Sequence, residues 1–189
     1  AFCVNGLDVK AIARVYRLKG RSFRNPIHVA VSDIEAADRY ARVDDAARFL
    51  AKRYLPGALT IVMKKRDAIP SLLVAGMDTV GVRIPDNQAI QRLAVLTGVP
   101  LTTTSANASG KPGTYSVEEI KEQLGTAMND IAYVLDQGPI RSREVSTIVD
   151  ISVRPAQLIR QGKLSWLDIH EELKRFDNIN EDGEESRES

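Results

Sequence analysis

Apolar positions recur along this chain in two rhythms. Between Asp8 and Gly20, the residues Val9, Ile12, Val15 and Tyr16 fall on one face of a helix, with Asp8 placed to cap its start and Gly20 to end it. From Pro26 to Val31 the period shortens to two, Ile27, Val29 and Val31 alternating with His28 and Ala30, which predicts a half-buried strand. Two short helices are expected over 33–41 and 44–54, the second stopped by Pro56-Gly57. The unbroken apolar run Leu59 to Met63 reads as a central strand and Thr79 to Ile84 as another. Asp86 is placed to start a helix through Ile90, Leu93 and Leu96, closed by Gly98. Leu101 to Thr104 is expected to be extended and Ser105 to Gly113 a loop, while Ser116 with Glu119 has capping-box spacing. Ile131 to Leu135, Ser146 to Ile151 and Gln157 to Arg160 read as strands, and Ser165 opens a last helix ending near Phe176. Helices interleaved with about six or seven strands predict an α/β or α+β domain with a mixed sheet.

Composition narrows the class. With 43% hydrophobic and 27% charged residues, the chain is not a disordered one. No apolar run approaches the roughly 18 residues of a membrane helix. A single cysteine, Cys3, excludes an internal disulfide framework and a multi-cysteine metal site. His28 and His170 lie too far apart in sequence to suggest a histidine-rich zinc centre, and no metal ligands are assigned. No secretory leader is evident, so a cytoplasmic location and no membrane association are expected. Charge is unevenly spread. Six acids stand against Arg187 from Asp177 onward, so residues 177–189 are expected to form a disordered acidic tail behind a basic domain over 1–176. The bases are mostly arginine, whose planar fork suits phosphate and carboxylate.

Four segments carry candidate chemistry. Arg14, Arg17, Lys19, Arg21 and Arg24 crowd the end of the first helix, followed by Asn25-Pro26. They could grip a polyphosphate, or simply complement the helix dipole at about 0.3–1 kcal/mol each. The run from Thr102 to Gly110 is made of small residues that let a ligand approach the backbone, with hydroxyls and amides to orient it. It lacks Walker spacing, and its bland reading is a polar turn. Arg83 interrupts an apolar strand, where a charge needs a partner, either an internal acid or a ligand anion, unless the strand is an edge and the side chain is solvated. Ser146-Thr147 opens a strand, with Arg160 near the end of the next, and Ser146 has no histidine–aspartate relay. No catalytic nucleophile is assigned.

In this order the segments resemble the YrdC/TsaC family of threonylcarbamoyl-AMP synthases. The matching pieces are Lys19-Gly20-Arg21 with Asn25-Pro26, Leu55-Pro56-Gly57-Ala58-Leu59-Thr60, Thr79 to Pro85, Thr104 to Gly110, Ser146 to Asp150 and Ile159 to Gly162. The resemblance implies a YrdC-like twisted mixed sheet with flanking helices around a basic concave pocket. It implies an ATP-dependent nucleotidyltransferase that joins L-threonine, bicarbonate and ATP into threonylcarbamoyl-AMP, releasing pyrophosphate. A partner transferase then carries the group to the adenosine beside the tRNA anticodon, and contact with tRNA itself is a further expectation. Mg²⁺ would be held largely by phosphate oxygens and water. Carried over residue by residue, Lys19, Arg21, Asn25, Thr79, Ser105, Asn107 and Arg160 would bind ATP. Arg83, Thr103 and Ser146 would bind threonine.

Two departures stand out. Members carry a Pro-Thr-Asp-Thr-Val-Tyr-Gly segment ahead of the first helix, and the chain is expected to lack it, starting as it does at Ala1-Phe2-Cys3-Val4. Members often place a histidine where Ala30 stands, and His28, two residues earlier, shares that strand face but reads as a plain strand histidine. The rival from another class is a non-catalytic RNA-binding module using the basic concavity, although only Tyr16 and Phe23 are interleaved with the basic cluster. A second rival is a relative that makes or uses a different carbamoyl-adenylate.

Overall fold

A computed structural model describes residues 1–140 and 144–185. Six strands form one mixed sheet: β1 (Val29–Ala30), β2 (Leu59–Lys64), β3 (Thr79–Arg83), β4 (Leu101–Thr102), β5 (Thr147–Asp150) and β6 (Gln157–Arg160), in the order β4-β1-β3-β2-β5-β6. β1 runs parallel to β3 and β2 parallel to β5, and the other three pairings are antiparallel. The helices among the described residues are α1 (Val9–Lys19), α2 (Ile34–Ala37), α3 (Asp45–Tyr54), α4 (Gln88–Thr97), α5 (Val117–Leu124) and α6 (Trp166–Glu185). None is long and apolar enough to cross a membrane.

Helix starts follow their caps. The Asp8 carboxylate accepts from the backbone N–H of Lys10 and Ala11 at 2.8 and 3.1 Å, and Asp44 accepts from Ala47 at 2.8 Å. At α4 the cap is Asn87 rather than the expected Asp86, its amide oxygen accepting from Ile90 at 3.1 Å. Ser116 caps α5, but the Glu119 carboxylate reaches back to the N–H of Tyr115, one residue beyond the Ser116 N–H that a reciprocal capping box would use.

Alternation divides the sheet into unlike faces. Val29, Leu59, Ile61, Met63, Val80, Val82 and Val149 are buried on one face and join Ile12, Tyr16, Leu50 and Ile169 in the main apolar cluster. At roughly 25 cal/mol per Å² of apolar surface, each such side chain contributes about 1.5–3 kcal/mol. The other face carries His28, Thr60, Gly81, Arg83 and Thr103.

Three expectations need correcting. Ile131 to Leu135 is not a strand: β4 and β6 take the sheet's edges, and this short apolar run finds no ladder partner among the described residues. Tyr133 and Leu135 are instead 91% and 68% exposed. The strand expected over 26–31 shrinks to two residues, and that over 101–104 to two plus an isolated bridge from Phe2 to Thr104. α6 continues past Phe176 to Glu185, so residues 177–185 of the expected disordered tail are helical, while 186–189 lie outside the described residues. Ile169 and Leu173 anchor the helix in the core and Phe176 packs on Phe49 at 5.0 Å; once nucleated, each further residue adds a hydrogen bond.

Candidate functional site

The polar face is assembled by register. His28 stands opposite Gly81 in the β1–β3 pairing, Thr103 continues the β4 pairing beside His28, and Thr60 follows opposite Arg83 on β2. Gly81 is what allows the crowding. A Cβ there would strike the His28 ring and come within 3.2 Å of the Thr60 methyl.

Arg83 projects from the middle of this face, and among the described residues its buried Nε makes no hydrogen bond. Arg21, Arg83 and Arg160 form no salt bridge among the described residues. Burial, and then the nearby Arg160, pull the Arg83 pKa below its ordinary value, and burial does the same to Arg160. Arg160 is held in place: its Nε and Nη2 donate to the Ser146 carbonyl at 3.1 and 2.7 Å, and Nη2 also reaches the Ser146 hydroxyl at 3.2 Å. The Ser146 hydroxyl in turn lies 3.0 Å from the hydroxyl of Thr60. Behind it, Thr147 Oγ1 ties down the Gly162–Leu164 turn, accepting from both N–H groups and donating to the Leu164 carbonyl. A Cβ at Gly162 would collide with the backbone of residues 145–147, so only glycine lets that turn close on β5.

Lys19 behaves differently. It is 3% exposed, and its Nζ donates to the carbonyl of Ser105, to the carbonyl of Asn107 at 2.6 Å and to the Asn107 side-chain oxygen at 3.3 Å. It also sits 5.3 Å from the Phe2 ring centroid. Burial, reinforced by Arg21, lowers its pKa to about 8. Asn107 Nδ2 donates to the carbonyls of Ala108 and Lys111, so the small-residue loop is drawn around the lysine. Arg21 is half-buried, and its guanidinium reaches the carbonyls of Asn25 and Pro26 at 3.1 and 2.9 Å.

The structure therefore brings Arg21, Arg83, Arg160, Ser146 and Thr103 to one region, with the Lys19–Ser105–Asn107 clamp at its border. Thr79 shares the sheet face but lies four residues from Arg83, about 13 Å along β3. The Asn25 side chain is exposed, and only its carbonyl joins the cluster, accepting from Tyr16 and Arg21. Two residues that sequence reasoning left out of the site stand in it. Thr60 is the lone hydroxyl inside an apolar strand, the same signal that singled out Arg83. His28, read as a plain strand histidine, faces the arginines. Burial first, then Arg160, Arg83 and Arg21, push its pKa down to about 4, leaving the imidazole neutral at pH 7.

A mixed α/β sheet whose polar face gathers Arg21, Arg83 and Arg160, none of them in a salt bridge among the described residues, beside hydroxyl and amide groups has the donor set of the class of proteins that bind anionic small molecules on a sheet face. Its particular place within that class comes from comparison. The profile of the Sua5/YciO/YrdC family, described as telomere recombination, matches residues 1–162, and the chain belongs to that family. A Methanocaldococcus jannaschii protein is 39% identical over 158 residues, covering 84% of this chain and 72% of its own length. The threonylcarbamoyl-AMP synthase of Pyrococcus abyssi is 34% identical over 161 residues, covering 85% of this chain and 46% of its own. The crystal structure of P. abyssi Sua5 complexed with L-threonine superposes with a TM-score of 0.83 at 33% identity, over 90% of this chain and 49% of that one. The chain thus spans about half the length of the P. abyssi protein.

Proposed function

We propose that this chain is an L-threonylcarbamoyladenylate synthase, converting ATP, L-threonine and bicarbonate to threonylcarbamoyl-AMP and pyrophosphate. The observation that carries the reading is Arg83: a half-buried guanidinium whose Nε is buried and unpaired among the described residues, beside Arg160 and a Thr60–Ser146 hydroxyl pair, is arranged to receive a carboxylate. Family membership, and the name borne by the P. abyssi relative, support the same chemistry.

In this reading the threonine carboxylate pairs with Arg83, flanked by Ser146 and Thr103. The nucleotide lies toward Arg21, Arg160 and the Ser105–Asn107 loop, with Asn25 and Thr79 at its margins. Lys19 serves the nucleotide by holding that loop. The threonine amine and bicarbonate combine to a carbamate with loss of water. A carbamate oxygen then bonds to the α-phosphorus as the bond from that phosphorus to the β-bridging oxygen breaks, and pyrophosphate leaves. No side-chain nucleophile takes part: fixed positive charge and positioning do the catalysis. Among the described residues the donor set on this face is cationic and offers no carboxylate cluster to a metal, so Mg²⁺ is assigned to the phosphate oxygens and water, and no step here is routed through it.

Residues 1–176 form the catalytic domain in this reading, and every residue assigned to the site lies within them. The product passes to a separate transferase acting on tRNA, and a cytoplasmic location is part of the same proposal. The test is pyrophosphate release from ATP. Release that requires both L-threonine and bicarbonate is the expected result. Salt-sensitive RNA binding with no turnover would replace this reading with the binding module.

A further inference from the structure

Arginines can only donate hydrogen bonds, and a face built from Arg21, Arg83 and Arg160 repels an ammonium group. An amino acid zwitterion, whose recognition rests on the function proposed above, therefore needs an acceptor close to the arginine that takes its carboxylate. The candidates nearby are mostly engaged. The hydroxyls of Thr60 and Ser146 bond each other, Ser146 also accepts from Arg160, and Thr103 Oγ1 lies 3.4 Å from the His28 carbonyl. His28 is the exception, since its ring makes no hydrogen bond among the described residues. Its Nδ1 edge is turned toward Gly81, and across the β1–β3 pair His28 and Arg83 are diagonal neighbours within reach of one ligand. An unpaired acceptor and an unpaired donor thus stand side by side on one sheet face.

We infer that the His28 imidazole accepts a hydrogen bond from the α-amino group of the amino acid substrate, while Arg83 takes its carboxylate, so that the pair reads the zwitterion. The charged groups facing His28 are Arg21, after α1, Arg83 on β3 and Arg160 on β6, with no carboxylate among them. These cations and burial favour the neutral ring, the form with an acceptor nitrogen. The role is one of positioning: the amine is held where bicarbonate can reach it, and His28 forms no covalent bond.

The test is a cycle of two ligands and three proteins. Calorimetry would compare L-threonine with 3-hydroxybutanoate, which lacks the amine, on the parent chain, on His28→Leu and on His28→Gln. The parent should prefer L-threonine by about tenfold or more, as expected for one well-made hydrogen bond to a charged group. His28→Leu should lose that preference while keeping its affinity for 3-hydroxybutanoate, and His28→Gln, which restores an acceptor, should recover part of it. In turnover, the threonine KM should rise in His28→Leu with the ATP KM unchanged. Gly81→Ala gives an independent route, because its methyl displaces the ring without removing it, and it should reproduce the loss even if His28→Leu does not fold. Equal weakening of both ligands, or an unchanged preference, would overturn the inference. Threonine binding with the predicted cycle but no threonine-dependent pyrophosphate release would overturn the synthase reading alone, and failure of the parent to bind L-threonine would overturn both.

Discussion

Two cations withdrawn from solvent, Lys19 fully buried and Arg83 half-buried with its Nε inside, lie in adjoining regions and are treated in opposite ways. Around Lys19 the chain supplies three acceptors from the Ser105–Asn107 loop and the ring of Phe2, so the ammonium is satisfied from within. Around Arg83 it supplies a neutral histidine, another arginine and a hydroxyl pair already bonded to itself, and the Nε is left alone. A buried charge with full internal partners is part of the scaffold. A buried charge without them is held against a desolvation penalty that a bound anion would offset. The difference separates what holds the site from what binds in it.

The sharpest way to break that contrast is Arg83→Met. If Arg83 meets the substrate carboxylate, kcat/KM for threonine should fall about a hundredfold or more, since a bidentate charged pair is lost. The melting temperature should be no lower than the parent's, because a half-buried charge with an unpaired Nε has been replaced by an apolar side chain of similar length. A large loss of stability with little loss of activity would reverse the assignment.

Lys19→Met should show the complementary pattern. Removing the ammonium strands the carbonyls of Ser105 and Asn107 and the Asn107 side-chain oxygen, at a cost of about 2–3 kcal/mol. For a chain of this size that lowers the melting temperature by roughly 4–12 °C. The nucleotide KM should rise as the loop loosens, and Lys19→Arg should not restore it, because a planar fork does not fit a pocket shaped for a point charge. Thermal melts alongside ATP titrations would separate the two variants.

How much of this was legible in the sequence differs residue by residue. Arg83 announced itself, because a charge inside an apolar strand is costly unless something pairs with it. The helix ends were legible from Asp8, Asp44 and Gly98, whose capping is a local matter. The role of Lys19 was not. Its membership of a basic cluster is visible, but its burial depends on partners 86 and 88 residues away, which no local pattern reports. Alternation places His28 and Ala30 on one face without saying whether that face is solvent or site. Only the β1–β3 register, with glycine opposite, turns a strand histidine into a site histidine. Ile131 to Leu135 shows the converse: a strand-like apolar run that has no neighbour to pair with among the described residues.

His28 sharpens the comparison through pH. Its folded pKa of about 4 lies below the ordinary 6.5, so between those values the unfolded chain binds more protons than the folded one. Stability therefore rises with pH across that window, and acidification from about 6.5 toward 4 should destabilise the parent. His28→Gln lacks this component, and its melting temperature should fall less over the same range, by a few degrees. Identical acid slopes would mean that the ring is not held neutral by burial and its arginine neighbours.

Thr60→Val asks for the smallest effect. The substitution keeps the shape of a fully buried side chain and removes one hydroxyl, whose partner, Ser146 Oγ, still accepts from Arg160. Because that partner stays bonded, the loss should be about 1 kcal/mol rather than the larger penalty of an orphaned group. The threonine KM should rise a few-fold, as the Ser146 hydroxyl gains freedom to turn away from Arg83. A loss as large as that of Arg83→Met would mean that Thr60 touches the ligand itself. The hydroxyl pair would then belong with the unpaired groups of this face rather than with the framework that Lys19 exemplifies.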